Sequence, residues 1–286
     1  MDNIVLGIDI GGSHITAGLI DLDDKILLQG SYIRKIINSS DSSDNILSLW
    51  ANTINEVFEK SFLPIGKIGI AMPGPFDYVN GISFIKNLAK YDHLYGINVK
   101  DILSQKLSID NSQIKMINDA SAFLCGEILN GAAVNITNVV GVTLGTGLGS
   151  ASYYNEKLED GNLYCESFQE GNAEDYLSAR WVLSEYEKSS LKKIKGVKEI
   201  ADLFDFDENA QQVFQTFGEN LGIILFDKYS VQNPSKIIIG GNISKAHTRF
   251  FPSAQIKLAE KGCSSILVPS VLGENAALFG AASLWR

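Results

Sequence analysis

Twice in this chain an apolar strand runs into a glycine-rich bend and returns as an alternating strand, first in "NIVLGIDIGGSHITAGLID" (residues 3–21) and again in "NVVGVTLGTGLGSASYYNEKL" (residues 138–158). The copies stand about half a chain apart. A repeat at that spacing implies a duplicated architecture, with two similar lobes that each open on a hairpin and face each other across a cleft. At 286 residues, 45% of them hydrophobic, the chain can fill two such cores.

The first hairpin is expected to extend into a third strand, "KILLQGSYIR", after the polar turn "DLDD". Ile46, Leu49, Trp50, Ile54, Val57 and Phe58 then recur at helical spacing, so one face of a helix covers the sheet. "KIGIAM" returns as a short buried strand that Pro73-Gly74-Pro75 stops. Further helices are expected at "SAFLCGEILNGAA", "NAEDYLSARWVLSEYEK", "AQQVFQTFGENLGIILFDKYS" and "ENAALFGAASLWR". "SKIIIGGNIS" reads as a buried strand running into Gly240-Gly241, and the lysine-rich "KSSLKKIKGVKE" as a solvated connection. The expected N-terminal lobe is residues 1–117, with a C-terminal helix at about 273–286 packing back on it, and the C-terminal lobe is residues 118–272.

The net charge of -9 and a pI near 4.9 argue against a nucleic-acid footprint, which needs clustered Lys and Arg. A small soluble ligand is the expected partner. The opening residues lack a basic leader, and no apolar run of roughly 18 residues would span a bilayer, so a cytoplasmic protein is expected. Cys125, Cys165 and Cys263 are widely spaced, which fits reduced thiols rather than a disulfide framework.

The bends themselves admit more than one reading. Gly145, Gly147 and Gly149 are followed by a strand, whereas dinucleotide-binding glycines feed a helix whose N-terminus meets the pyrophosphate. No Walker-type lysine follows them. In a hairpin, glycine permits positive φ and leaves backbone N–H groups uncovered, so each bend can serve as a turn, a phosphate cradle or both. Asp9 lies in an apolar run just before the first bend, where an unpaired carboxylate would be costly. It either caps the turn or, beside phosphate, serves a magnesium ion, which takes one or two carboxylates plus water and phosphate oxygens.

Taken in order, "GIDIGGSHITAGLID", "GIAMPGPFDYVNGI", "MINDASAFLCGEILNGAA", "VVGVTLGTGLGS", "AEDYLSARW", "KIIIGGNIS" and "ENAALFGAASL" resemble the ROK family of sugar kinases and sugar-responsive repressors, within the actin-like ATPase superfamily. The resemblance runs from about residue 4 to residue 286. It implies an α/β, two-lobed actin-like (ribonuclease H-like) fold, each lobe a mixed five-stranded sheet with helices, and a cleft for nucleotide and sugar. It also implies ATP and Mg2+ as cofactors and points to a homodimer. On the resemblance, Asp9, Gly11, Gly12, Ser13 and His14 form the first phosphate loop, with Asp9 holding Mg2+ through water. Gly145, Thr146 and Gly147 form the second loop, and Gly240, Gly241 and Asn242 lie against the adenosine. His14 stands where the family more often has lysine.

Asn118 and Asp119, in "INDAS", match the family's sugar-binding Asn-Asp pair, whose aspartate is the catalytic base that takes the proton of the attacking hydroxyl. From the residues alone, the pair reads as an N-cap opening the following helix. Gly74, Glu166, Gln169 and Glu174 complete the implied sugar pocket. Glu166 aligns with the glutamate of the family's Gly-Glu-X-Gly-His segment, Gln169 falls where its histidine would be, and Glu174 matches a later glutamate. Charged acceptors of this kind bind adjacent pyranose hydroxyls; the other reading is a solvated acidic loop before a helix. The family's zinc motif finds no counterpart, because Cys165 stands alone and His14, His93 and His247 are scattered, so no zinc is expected.

The leading expectation is an ATP-dependent kinase acting on a hydroxyl of a hexose or N-acetylhexosamine. The alternative is a catalytically weak or inactive sugar-binding protein with a regulatory role, which the Gln169 replacement keeps open. The family's repressors carry an added helix-turn-helix domain ahead of the first strand, which here begins at residue 4, so a repressor is not expected.

Overall fold

The computed structural model describes residues 3–88 and 90–286. They form two compact units, one made of the chain up to Asn130 together with Asn275–Arg286, the other of Gly131–Glu274.

In the first unit, β1 (Ile4–Ile10) and β2 (His14–Asp21) form the expected hairpin, in antiparallel register from Ile4↔Asp21 to Ile10↔Ile15. The third strand is two pieces, β3 (Ile26–Leu27) and β4 (Ile33–Ile36), both paired with β2, so this sheet has six strands rather than five. Gly30, at φ 79°, turns the backbone out of the ladder. Ser31 then takes over as a partner: its hydroxyl accepts the Leu19 N–H at 3.0 Å and donates to the Leu28 carbonyl at 2.7 Å. Helix α1 (Ser43–Ser61) opens where the Ser42 hydroxyl accepts the Asn45 N–H and closes at Phe62, whose backbone is left-handed. Its stripe of Ile46, Leu47, Trp50, Ile54, Val57 and Phe58 packs in one cluster with Leu6, Ile8 and Ile10. Each such fully buried side chain contributes about 1.5–3 kcal/mol, which holds α1 on the sheet.

The chain continues through β5 (Lys67–Met72), a small hairpin of β6 (Phe76–Asp77) and β7 (Ile82–Ser83), then α2 (Val99–Leu107), β8 (Ile114–Asn118) and α3 (Asp119–Asn130). β5 runs parallel to both β1 and β8, which gives the order β3-β2-β1-β5-β8. Side chains alternate across a strand. Leu6, Ile8, Ile10, Ile68, Ile70 and Met72 therefore share one face with α1, while Gly7, Asp9 and Gly69 occupy the other.

The second unit opens with β9 (Asn138–Leu144), β10 (Leu148–Tyr154) and β11 (Lys157–Asp160), followed by a minimal hairpin of β12 (Ser167–Phe168) and β13 (Gly171–Asn172). Next come α4 (Ala173–Tyr176), α5 (Ala179–Ser190), α6 (Val197–Leu203), α7 (Glu208–Tyr229), β14 (Lys236–Gly240), α8 (His247–Glu260) and β15 (Ile266–Pro269). The order β11-β10-β9-β14-β15 repeats the first sheet's pattern of two antiparallel steps followed by two parallel ones. The helix expected across residues 172–188 breaks at Ser178, whose backbone is extended. The lysine-rich segment is only partly a connection, because α5 runs on to Ser190 and α6 buries Ile200.

Helix α9 (Ala276–Ser283) returns to the first unit. A Cβ on Gly7 would lie 2.2 Å from the Leu278 carbonyl oxygen, and one on Gly69 1.9 Å from that of Ala281. Glycine at both sites lets the helix rest directly on the strand backbones. The contact between α9 and α3 is equally close, since a Cβ on Gly280 would lie 1.7 Å from the Ala122 carbonyl oxygen. This packing keeps α3 in the first unit, so the division falls after Asn130 rather than after residue 117. Among the described residues, no helix is long and apolar enough to cross a membrane.

Candidate active site

Parallel neighbours place the carboxyl ends of β1, β5 and β8 on one edge of the first sheet. Asp9 pairs with Ala71, and Ala71 with Ile117, so Asp9 stands in the same row as the residue two before Asp119. With strands about 4.8 Å apart, that row spans roughly 10 Å. Asp9 and the Asn118-Asp119 pair thus share one edge of one unit, together with the first glycine bend.

At this bend Gly11 N–H donates to the His14 carbonyl at 2.9 Å, and the Ser13 carbonyl accepts from Ile37 N–H at 2.8 Å. The Ser13 hydroxyl and His14 Nδ1 lie 2.8 Å apart. The Tyr91 hydroxyl donates to the Gly11 carbonyl from a fully buried ring. Burial first, and the nearby Asp9 carboxylate second, push the Tyr91 phenol well above its ordinary value, so it remains a donor at neutral pH. None of Gly11, Gly12, Gly145 and Gly147 has φ between +20° and +160°, so these bends do not use the positive φ that glycine permits. At the first bend glycine leaves room instead. A Cβ on Gly11 would have no neighbour nearer than 3.7 Å, and one on Gly12 none nearer than 3.8 Å, so the protein itself does not demand glycine there. The Gly11 N–H is used within the bend, whereas Gly12 and Ser13 are exposed at its tip.

Both readings of the Asn118-Asp119 pair have a physical basis. Asn118 Oδ1 accepts from Ala120 N–H at 2.9 Å and from Ser121 N–H at 3.2 Å, so it caps α3. Its amide donates to the Tyr78 hydroxyl at 3.2 Å, which in turn donates to the Met72 carbonyl at 3.0 Å. A Cβ on Gly74 would lie 3.1 Å from that same hydroxyl, which brings Gly74 to the group around Asn118. Asp119, half-buried, is the first residue of α3, and its Oδ1 accepts from Ala120 N–H at 2.9 Å. Tyr78 and Tyr91 escaped the sequence reading, because nothing local marks a phenol whose partner lies 40 or 80 residues away.

In the second unit, the β9–β10 bend closes with Gly145 N–H donating to the Gly147 carbonyl at 3.0 Å, and Ala179 N–H, at the start of α5, donates to the Gly145 carbonyl at 2.8 Å. Glu174 Oε2 accepts from Leu148 N–H at 2.9 Å, and a Cβ on Gly147 would come within 2.8 Å of that oxygen. One oxygen of Glu174 is therefore committed to the hairpin backbone. Thr146 and the first turns of α5, including Arg180 and Ser184, line a recess of about 460 Å3. Gly241, at φ 81°, lies against Leu144, and a Cβ there would meet the Leu144 carbonyl oxygen at 2.3 Å. Here the fold itself requires glycine. Gly240 is buried beside Thr143, and Asn242 is exposed at the start of a short 3-10 helix. Glu166 forms an ion pair with Lys228 of α7, whereas Gln169 is exposed at the tip of the β12–β13 hairpin with a left-handed backbone.

Among the described residues, no cluster of three or more His, Cys, Asp or Glu side chains could hold a metal ion on its own. A single carboxylate such as Asp9, just before the exposed bend, suits magnesium that brings its own phosphate oxygens and water.

The sequence pattern of the ROK family matches residues 5–286. The glucokinase of Thermotoga maritima is 26% identical, over 98% of this chain and 96% of its own length. The xylose repressor of Bacillus spizizenii is also 26% identical, over 98% of this chain and 76% of its own. A solved ROK family glucokinase from Streptomyces griseus, in complex with glucose and AMPPNP, is 22% identical with a TM-score of 0.80, over 98% of each chain. The fold is accordingly the α/β fold of these solved structures, with mixed sheets and covering helices.

Proposed function

The chain belongs to the ROK family, and on that premise we propose that it is an ATP-dependent kinase that transfers the γ-phosphoryl group to a hydroxyl of a hexose or N-acetylhexosamine. The observation that carries this reading is the position of Asp119, which heads α3 on the sheet edge that also holds Asp9 and the first glycine bend. A sugar hydroxyl attacks the γ-phosphorus and its proton passes to the Asp119 carboxylate. The bond to the bridging oxygen breaks, and ADP leaves with the electron pair. Asn118 orients the sugar from a side chain already held by the α3 amides and Tyr78, so little freedom is lost on binding. Gly74 borders the same sugar, and Ser13 and His14 border the phosphates.

In the second unit, the Gly145-Thr146-Gly147 bend is assigned to phosphate and Gly240, Gly241 and Asn242 to the nucleoside. Glu166, Gln169 and Glu174 are assigned to the sugar's hydroxyls. Mg2+, held through water by Asp9, would neutralise charge on the transferred group. The protein is read as cytoplasmic and as a homodimer.

Sugar-dependent ADP release, screened over hexoses and N-acetylhexosamines, tests the reading. Asp119→Asn is expected to lower kcat by about 10²–10⁴-fold while leaving sugar affinity nearly unchanged. Full turnover in that variant would remove Asp119 from its role. A second reading, a sugar-binding regulatory protein without catalysis, draws support from Gln169 and from the engagement of Glu166 by Lys228. It predicts calorimetric sugar binding with no ADP release from any sugar.

A further inference from the structure

We propose that Lys90 binds phosphate at the first glycine bend, its ammonium group facing the anion that the exposed backbone of Gly12 and Ser13 receives. The proposal deepens the kinase reading and rests on it for the identity of that anion. The stem of Lys90 lies over the bend: its Cδ is the atom nearest to a Cβ built on Gly12, at 3.8 Å. The ammonium is two bonds further along the same side chain.

The residue next to it fixes this placement. Tyr91 is fully buried, has a left-handed backbone, meets Trp50 edge-on at 5.6 Å and donates its phenol to the Gly11 carbonyl. Its backbone N–H donates to the Ser39 carbonyl at 2.8 Å, and Ile37 N–H donates to Ser13 at the same distance. Three segments far apart in sequence are thus stitched together around the bend, and Lys90 enters from the most firmly anchored of them.

Charge supplies the reason. A polyphosphate arriving here meets the Asp9 carboxylate in a protein of net charge -9, so a local cation is needed to make binding favourable. Residue 14 is histidine, with its ring against the Ser13 hydroxyl. Lys35, one residue from the β4 position that pairs with His14, is committed to Glu56 at 2.6 Å. Among the described residues Lys90 has neither an ion-pair nor a hydrogen-bond partner. A cation beside the exposed backbone of Gly12 and Ser13 makes the charge-assisted contacts that phosphate binds most strongly.

The test is a calorimetric titration of the full chain with ATP, adenosine and inorganic tripolyphosphate. Lys90→Met keeps the aliphatic stem over Gly12 and removes the charge. It is expected to weaken ATP and tripolyphosphate by about tenfold or more while leaving adenosine and Tm unchanged. Lys90→Arg should recover most of the loss, and Lys90→Gln serves as the second neutral variant if Met perturbs the fold. In turnover, KM for ATP rises while KM for sugar stays put. Neutral variants that bind both polyphosphates within about twofold of wild type would overturn the proposal. Tripolyphosphate binding that depends on Lys90, in a protein that releases no ADP with any sugar, would keep Lys90 and remove the kinase. A working kinase indifferent to Lys90 would do the reverse, and a wild type that binds neither polyphosphate would remove both.

Discussion

Gly12 and Gly241 both sit in bends, but they answer to different constraints. Gly241 combines φ 81° with a site where a Cβ would lie 2.3 Å from the Leu144 carbonyl oxygen. Gly241→Ala is expected to cost about 2–3 kcal/mol of unfolding free energy, seen as a lower denaturant midpoint. Gly12→Ala meets nothing nearer than 3.8 Å and should hold stability within about 0.5 kcal/mol, yet weaken ATP binding by covering the bend. Wild-type ATP affinity in Gly12→Ala would show that the bend is a turn and no more. Glycine's identity at these positions is visible in the sequence, but its reason is not. The same letter serves open space at 12, a carboxylate contact at 147 and a strained backbone at 241. Asp9 stood out as a carboxylate inside an apolar run just before a glycine bend, whereas Asn118 and Asp119 drew a sugar role only from the family resemblance and otherwise read as a helix cap. Lys90 and Tyr91 were not legible, since their partners at the bend lie some 80 residues earlier in the chain.

Elements with long, uniform periodicity were readable before any coordinates. α1 and α7 fall where apolar spacing places them, and both glycine bends are hairpins. Short or interrupted elements were not readable. α8 carries Pro252 within it, α6 spans seven residues beside a lysine-rich stretch, and the third strand is cut at Gly30. The close packing of α9 against β1 and β5 depends on the side chains that Gly7 and Gly69 lack, and so leaves no hydrophobic signature at those positions. Gly69→Ala puts a methyl group 1.9 Å from the Ala281 carbonyl oxygen. The helix must move, at a cost of about 3 kcal/mol, measured as a lower urea midpoint at an unchanged m-value. An unshifted midpoint would mean that α9 is free to slide.

For the molecule as a whole, the duplicated strand–bend–strand pattern was the most informative feature of the sequence, and it reappears as two sheets of matching order. Placing α3 required the structure, because the unit it joins is decided by α9, far along the chain. Ligand linkage offers a test on the same scale. ATP with Mg2+ at about a hundred times its Kd is expected to add about 2.7 kcal/mol to stability. Asp9→Asn should erase the Mg2+-dependent part of that gain while leaving the metal-free protein's melting temperature little changed. A Mg2+ effect that survives Asp9→Asn would move the ion to another ligand.

The helix that seals Gly7 and Gly69 is translated only after residues 131–274 have emerged, so the second unit can collapse while the first still waits with an open sheet face. Synthesis thus inverts the usual order in which the earlier segment matures first.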